Sequence, residues 1–149
     1  MKRIVPLLLL LFASASAFAG DGIIMLSSAH NVSTTADRLV TALESKGMKI
    51  FTRIDHAKGA ASVDKELRPT QLVIFGNPKV GTPLMQCAQS AAIDLPQKAL
   101  IWEDAGRKVW LSHNDPTHLA KRHSIQGCDK VLTKVGSALG NFAKAATQP

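Results

Sequence analysis

The sequence is poor in aromatic residues and in acidic ones. It has no tyrosine, aromatic residues make up 5% of its 149 residues, and 11 Asp+Glu face 18 Lys+Arg. No apolar run reaches the roughly 20 residues that a membrane-spanning helix requires. At 46% hydrophobic and 19% charged, the chain is too apolar to be disordered. These absences exclude a disordered chain and an integral membrane protein, and they predict one soluble globular domain.

The first 19 residues have the pattern of a cleaved secretory signal. Lys2 and Arg3 precede an apolar segment over residues 4–12, and Ala17-Phe18-Ala19 supplies the small residues that signal peptidase requires. No cysteine stands directly at the cleavage site, which argues against a lipoprotein. We therefore expect a single mature domain over residues 20–149 that is exported to a bacterial periplasm, with secretion to the medium as the alternative.

The excess of basic residues does not indicate a nucleic-acid partner. The basic side chains of the mature chain are spread from Arg38 to Lys144 and form no run longer than two. Binding of nucleic acid needs a clustered basic face, with aromatic side chains between the charges where single strands are bound. The pattern is typical of a solvated surface, so we predict no nucleic-acid partner.

Short apolar segments alternate with amphipathic ones along the mature chain. This alternation predicts a single α+β domain: a mixed sheet of about five strands, helices packed on it, and a closing amphipathic C-terminal helix. Strands are predicted over 22–27, 49–54, 71–75, 99–103 and 108–112. Helices are predicted from a Thr34 cap to Gly47, weakly over 57–67, from Thr82-Pro83 to before Pro96, from Asp115-Pro116 to His123, and over 131–142.

The chain has two cysteines, Cys87 and Cys128. In an exported protein two cysteines most simply form one disulfide. The alternative is a redox or metal-binding thiol pair, but the Cys-x-x-Cys spacing that lowers a thiol pKa is missing. We predict a structural disulfide between helices.

Several segments of the chain form a recognisable set of motifs. The most specific is Phe75-Gly76-Asn77-Pro78-Lys79-Val80-Gly81-Thr82-Pro83-Leu84-Met85, and it is joined by Asp55-His56, Leu67–Gln71, Asp94-Leu95-Pro96, Trp102-Glu103-Asp104 and Trp110–Pro116. Together these segments resemble the domain-of-unknown-function 302 family. The resemblance covers about residues 34–123. It implies a small α+β domain that forms a homodimer, in a family without an agreed activity. His113 stands where the family pattern usually has tyrosine, which puts in doubt any role of that phenol.

The stretch from Gly76 to Thr82 follows a predicted strand and precedes a predicted helix. It superficially resembles a phosphate-binding loop, but Thr82 stands where such a loop has its lysine, so nucleotide hydrolysis is not expected. Free backbone N–H groups at the helix start, with Lys79 nearby, would suit a small anion or carboxylate. The alternative is a tight turn in which Gly76 and Gly81 adopt unusual dihedral angles and Thr82 only caps the helix.

A second strand end, at His113, is expected beside the first. Loops at strand ends are where ligands usually bind, because rigid strands position them. We therefore predict one ligand-binding site, formed by Asn77, Lys79, Gly81, Thr82, His113, Asn114 and Asp115.

Enzymatic and metal-binding alternatives remain open. A small hydrolase or transferase would use His56 or His113 as base and Asp55, Glu103 or Asp115 as the orienting carboxylate. His118 and His123 would lie about 140° apart on a helix, which makes them a poor metal pair. The sequence favours a non-enzymatic, small-ligand-binding or stress-associated domain without a cofactor, over this enzyme and over a metal- or haem-binding protein.

The signal and the cysteine count make a joint prediction about the exported protein. Its intact mass should correspond to a chain that begins at Gly20 and is lighter by two hydrogens than the dithiol. Mass spectrometry with non-reducing alkylation measures both features. Two alkylated thiols would contradict the disulfide, and a mass that includes the first residues would contradict the cleavage.

Overall fold

A computed structural model describes residues 22–149, so the predicted signal segment, residues 1–19, lies outside the described residues. A short 3₁₀ helix over Gln89–Ile93 lies between the third helix and the fourth strand. The other elements, in chain order, are β1 Ile23–Ser27, α1 Val32–Glu44, β2 Lys49–Asp55, α2 His56–Ala61, β3 Thr70–Gly76, α3 Pro78–Cys87, β4 Gln97–Glu103, β5 Val109–Asn114, α4 Pro116–Arg122 and α5 Asp129–Thr147.

The five strands form one open sheet in the order β1-β5-β4-β3-β2. The predicted α+β class, the number of strands and the closing C-terminal helix are confirmed. The prediction of a mixed sheet is wrong, because every neighbouring pair is antiparallel. Helix α1 carries the chain from one edge of the sheet to the other. Strands β1 and β2 therefore never pair, and the strands from β2 to β5 pair in sequence order.

Helices α1 and α5 cover one face of the sheet and contact each other. Alternate residues of the central strands point towards them, as the period of two in a strand requires. The strand residues in this core are Val73, Phe75, Ala99, Ile101, Val109 and Leu111, and the helix residues include Ala36, Leu39, Leu43, Leu132, Val135 and Leu139.

Two helices begin earlier than predicted, because asparagine side chains cap them. The Oδ1 atom of Asn31 accepts a hydrogen bond from the backbone N–H of Thr34 at 2.8 Å, so Thr34 lies inside α1. Asn77 caps α3 in the same way, with Pro78 in the first turn. Thr82 is therefore a helical residue and not a cap. Asparagine is among the best N-cap residues, which explains both shifts.

The weak second helix and the third helix are both shorter than predicted. Helix α2 ends at Ala61, six residues before the predicted boundary at Leu67. Helix α3 ends at Cys87 because Ala88 is extended (φ −153°, ψ 104°), and the 3₁₀ helix follows.

The predicted pairing of Cys87 with Cys128 is confirmed. Their Cα atoms lie 6.4 Å apart with the two sulfur atoms at disulfide distance. Cys87 is the last residue of α3, and Cys128 immediately precedes α5. The pair thus joins the end of α3 to the start of the helix that closes the core.

The core position of α5 predicts the effect of one substitution. Leu139 is 4% exposed, so Leu139→Ala should lower the free energy of unfolding by about 2–4 kcal/mol through lost burial and the space left behind. Urea denaturation measures the change. Ser137→Ala, at an exposed position of the same helix, is the matched control and should change stability little. Equal stability of both variants would contradict the assignment of α5 to the core.

Candidate ligand cavity

A cavity of about 540 Å³ lies between α3, α5 and the end of the sheet where β3 stops. Its volume is within the usual range of pockets that bind small molecules. The wall is mostly apolar and comes from four regions of the chain. The apolar side chains that line it are Met48, Phe51, Phe75, Pro78, Val80, Leu84, Met85, Ala92, Leu95, Pro96, Val135, Ala138, Leu139 and Phe142.

Two local features keep this cavity open at the sheet. The pairing of β2 with β3 shifts register between Ile50 and Thr52, so Phe51 is bulged out of the ladder and contributes to the wall. Gly76 lies beside it: a Cβ atom there would be 3.3 Å from the Phe51 ring and 3.4 Å from Pro96. We expected unusual dihedral angles at Gly76 and Gly81, but neither has a positive φ. Glycine at position 76 instead provides space for Phe51.

Gln97 is the buried polar residue of the cavity wall. It is 7% exposed, and neither Nε2 nor Oε1 hydrogen-bonds to another group within residues 22–149. It opens β4 and belongs to the face of the sheet that carries Ala99 and Ile101, beneath the helices. A buried polar group without a partner costs about 1–3 kcal/mol, so native proteins rarely leave one in place without a reason.

The charged residues of the cavity wall are Lys46 and Lys134. Both are exposed, which places them where the cavity meets solvent. Among residues 22–149, no aspartate or glutamate belongs to the wall. The local charge is therefore positive.

The predicted ligand-binding residues divide into two groups. Asn77, Gly81 and Thr82 line the cavity, whereas Lys79 does not. The N–H groups at the start of α3 are already used. Those of Val80 and Gly81 donate to the Asn77 carbonyl oxygen at 2.9 and 3.0 Å, and that of Lys79 donates to Asn77 Oδ1 at 2.9 Å. The geometry that we expected to hold an anion at this helix start is thus taken up by capping.

The second group, His113, Asn114 and Asp115, does not line the cavity. Strands β3 and β5 run in the same direction and finish at the same end of the sheet, but β4 lies between them. The carboxylate of Asp115 caps α4, where it accepts from the backbone N–H of Thr117 at 2.8 Å and from its hydroxyl at 2.7 Å. The structure therefore does not bring the seven predicted residues together around one cavity.

His113 is a buried side chain whose surroundings favour the neutral ring. Burial lowers its pKa below the ordinary value, against smaller opposing contributions from the Asn114 carbonyl and from Asp115. Its Nδ1 atom lies 2.9 Å from the Asn114 carbonyl oxygen. Because that oxygen only accepts, Nδ1 carries the proton and donates. Nε2 is then an acceptor, and it is buried without a partner among the described residues.

The remaining catalytic candidates are not assembled into a site. Asp55 and Glu103 lie at the end of the sheet opposite Asn114, as the pairing register shows. Asp55 caps α2 by accepting from the backbone N–H of Lys58 at 3.0 Å, and His56 is exposed. Within residues 22–149, no three His, Cys, Asp or Glu side chains are grouped closely enough to hold a metal ion.

Folding does assemble one Ser, His and Asp cluster that we did not predict. His123 Nε2 lies 2.6 Å from Asp94 Oδ2, and His123 Nδ1 lies 3.1 Å from the hydroxyl of Ser90. Arg122 also bonds Asp94, at 3.2 Å. The disulfide between Cys87 and Cys128 links the chain shortly before Ser90 to the chain shortly after His123. No spacing in the sequence signals this contact, because it depends on how α4 packs beside the 3₁₀ helix.

Comparison with known proteins places the chain in a family. The family model described as "Domain of unknown function DUF302" matches residues 24–142. The chain belongs to the DUF302 family. The fold of this DUF302 domain is similar to the "Crystal structure of uncharacterized conserved protein DUF302 from Bacillus stearothermophilus", with a TM-score of 0.76 at 12% identity, over 85% of this chain and 99% of that one.

Curated relatives carry the name of an ion channel. The DUF302 chain is 43% identical over 127 residues to "Fluoride-specific ion channel FluC 1" of Brucella suis biovar 1 (strain 1330), which covers 85% of this chain and 50% of the relative. The protein of the same name from Brucella abortus biovar 1 (strain 9-941) is also 43% identical over 127 residues, 47% of its length. The chain thus spans about half the length of the curated relatives it matches. Among residues 22–149, no helix is long and apolar enough to cross a membrane.

The burial of His113 predicts a pH dependence of stability. Its pKa is lowered in the folded chain, so the unfolded chain takes up this proton at a higher pH. The stabilisation is therefore complete above the unfolded pKa of about 6.5 and is lost as the pH falls below it. His113→Gln should make the midpoint of urea denaturation fall less between about pH 7.5 and about pH 5.5 than in the native protein. His56→Gln, at an exposed site, is the control, and equal pH dependence in all three proteins would contradict the assignment.

Proposed function

We propose that the chain is an exported, non-enzymatic domain that binds a small molecule with a largely apolar body. The observation that carries this proposal is Gln97, a buried amide that has no partner within residues 22–149 and lies in the wall of an apolar cavity. Small-molecule sites commonly combine an apolar wall with a few convergent polar groups that orient the ligand. The cavity matches this description, since Gln97, Asn77 and Thr82 are among the few polar residues around it.

The hydrogen bonds at the start of α3 argue against an anion site made of backbone N–H groups. The donors at the start of α3 already bond Asn77. Binding energy would instead come from burial of apolar ligand surface against Phe75, Leu84 and Phe142, at about 25 cal/mol per Å². Hydrogen bonds to Gln97 would favour ligands that carry a matching polar group.

We place this activity in the periplasm and propose that the domain is a homodimer. The localisation is supported by the signal-like residues 1–19 and by the cysteine pair, which suits an oxidising compartment. The face of the sheet opposite α1 and α5 supports the dimer, since it carries the partly exposed Met25, Leu72 and Leu100. The fluoride channel named for the relatives is matched over about half their length, and we propose no fluoride transport for this chain.

A small hydrolase is the second candidate, and the cluster of Ser90, His123 and Asp94 favours it. The Asp94 carboxylate accepts from His123 Nε2, which leaves Nδ1 of a neutral ring as the acceptor for the Ser90 hydroxyl proton. Ser90 Oγ would then attack an ester carbonyl carbon while Nδ1 takes that proton and returns it to the departing alcohol. Water would hydrolyse the acyl-serine. This cluster does not use the histidines that we predicted as bases.

Filling the cavity with a large side chain should weaken ligand binding. Ala138 lines the cavity from α5, so Ala138→Trp should weaken binding of the apolar fluorophore N-phenyl-1-naphthylamine by at least about tenfold, because the indole occupies the ligand's space. Fluorescence titration measures the dissociation constant.

The matched control is Ser137→Trp, which adds the same side chain at an exposed neighbouring position outside the cavity wall. It should bind the fluorophore as the native protein does. Equal affinity of the two tryptophan variants, or no binding by the native protein, would remove the support for a ligand cavity.

A fluorophosphonate probe tests the hydrolase. If His123 activates Ser90, the probe should add its phosphonyl group to Ser90 in the native protein and not in His123→Gln, as peptide mass spectrometry would show. Ser28→Ala removes another hydroxyl that is hydrogen-bonded in the structure and should not affect labelling. A native protein that stays unlabelled, with an active serine hydrolase in the same tube as positive control, would rule the candidate out.

A further inference from the structure

We infer that the ligand is an anionic amphiphile whose apolar chain is interrupted by an amide, with its anionic end at Lys46 and Lys134 and its amide at Gln97. This inference rests on the proposed ligand-binding function and names the chemical class that the cavity would take. An apolar chain with an amide and a terminal carboxylate, as in an N-acylated amino acid, has all three features.

Charge complementarity identifies the anionic end. Lys46 follows α1 and Lys134 lies in the second turn of α5, so two separate elements bring positive charge to one opening. Neither lysine makes an ion pair within the part of the chain that the structure describes. Because no carboxylate of the described residues lines the wall to oppose them, both lysines are available to a ligand anion.

The buried amide identifies the second polar group. Gln97 offers donors at Nε2 and an acceptor at Oε1, and both atoms are unpaired within residues 22–149. A trans ligand amide points its N–H and its C=O in opposite directions, so it satisfies one of these atoms, either Oε1 through its N–H or Nε2 through its carbonyl oxygen. A simple fatty acid would leave them unsatisfied along its chain, and a neutral amide would leave the two lysines without an anion.

A competing explanation is that Gln97 is satisfied through His113 and not through a ligand. His113 pairs with Ala99 across β4 and β5, which makes Gln97 its diagonal neighbour on the same face of the sheet. Such neighbours lie within reach of long side chains. His113 Nε2 is also buried and unpaired among the described residues, so one bridging water could satisfy both side chains. In that case Gln97 would not affect ligand affinity.

Three probes of equal chain length separate these possibilities. N-decanoylglycine has the amide and the carboxylate, tridecanoate has only the carboxylate, and N-ethyldecanamide has only the amide. Isothermal titration of the full exported protein, below the micelle concentration of each probe, should show N-decanoylglycine binding at least about tenfold more tightly than either of the others. Equal affinity for the three probes would overturn the inference.

Two variants assign the polar groups of the probe to residues. Lys46→Gln combined with Lys134→Gln should weaken binding of N-decanoylglycine and tridecanoate by about tenfold and leave N-ethyldecanamide unchanged. Gln97→Met should weaken binding of the two amides and leave tridecanoate unchanged. A lysine variant that binds all probes as the native protein does, or a Gln97 variant that binds the amides unchanged, would overturn the assignment.

Two further results keep the test decisive. If Gln97→Met does not fold, the side-chain amide NMR signal of Gln97 in the native protein should shift with N-decanoylglycine and not with tridecanoate, and equal shifts would contradict the contact. If the native protein binds the apolar fluorophore but none of the three probes, the inference fails while the proposed function stands. If it binds neither, both fail.

Discussion

The packing of α5 on α1 and on the sheet is the contact on which the rest of the structure depends. One side of α5 closes the core through Val135 and Leu139, and the same helix supplies Ala138 and Phe142 to the cavity wall. The disulfide holds the end of α3 next to the start of α5. The core and the cavity therefore share one helix, and a change that loosens α5 will affect stability and ligand binding together.

The proposal of a ligand depends on the polar groups that the fold leaves buried and unpaired among the described residues. Most buried polar atoms in native proteins have hydrogen-bond partners. Gln97 and His113 lie on the helix-covered face of neighbouring strands, and each has side-chain atoms without a partner among the described residues. An apolar cavity alone would indicate only imperfect packing. The buried amide and the two lysines in its wall are the features on which we base the proposal of a ligand with matching groups.

Periodicity and turn chemistry were sufficient to predict the class of fold and most of the strands, and the export signal with the cysteine count predicted the disulfide. The predicted starts of α1 and α3 were wrong, because Asn31 and Asn77 cap these helices in place of the predicted threonines. Only three of the seven predicted ligand-binding residues belong to the candidate site. Asn77, Gly81 and Thr82 do line the cavity, but their separation from His113 follows from β4 lying between β3 and β5, and strand order is not encoded in local pattern. The contact of Ser90 with His123 likewise depends on tertiary packing.

The most direct test of a ligand-binding role is native mass spectrometry of the protein purified from its own host without denaturation. The account predicts a population heavier than the disulfide-bonded chain by the mass of one small organic molecule, which is released when the protein is unfolded. The released molecule should be apolar with an anionic group. A protein that carries no such molecule, and that gains none after incubation with a lipid extract of the same cells, would contradict the central claim.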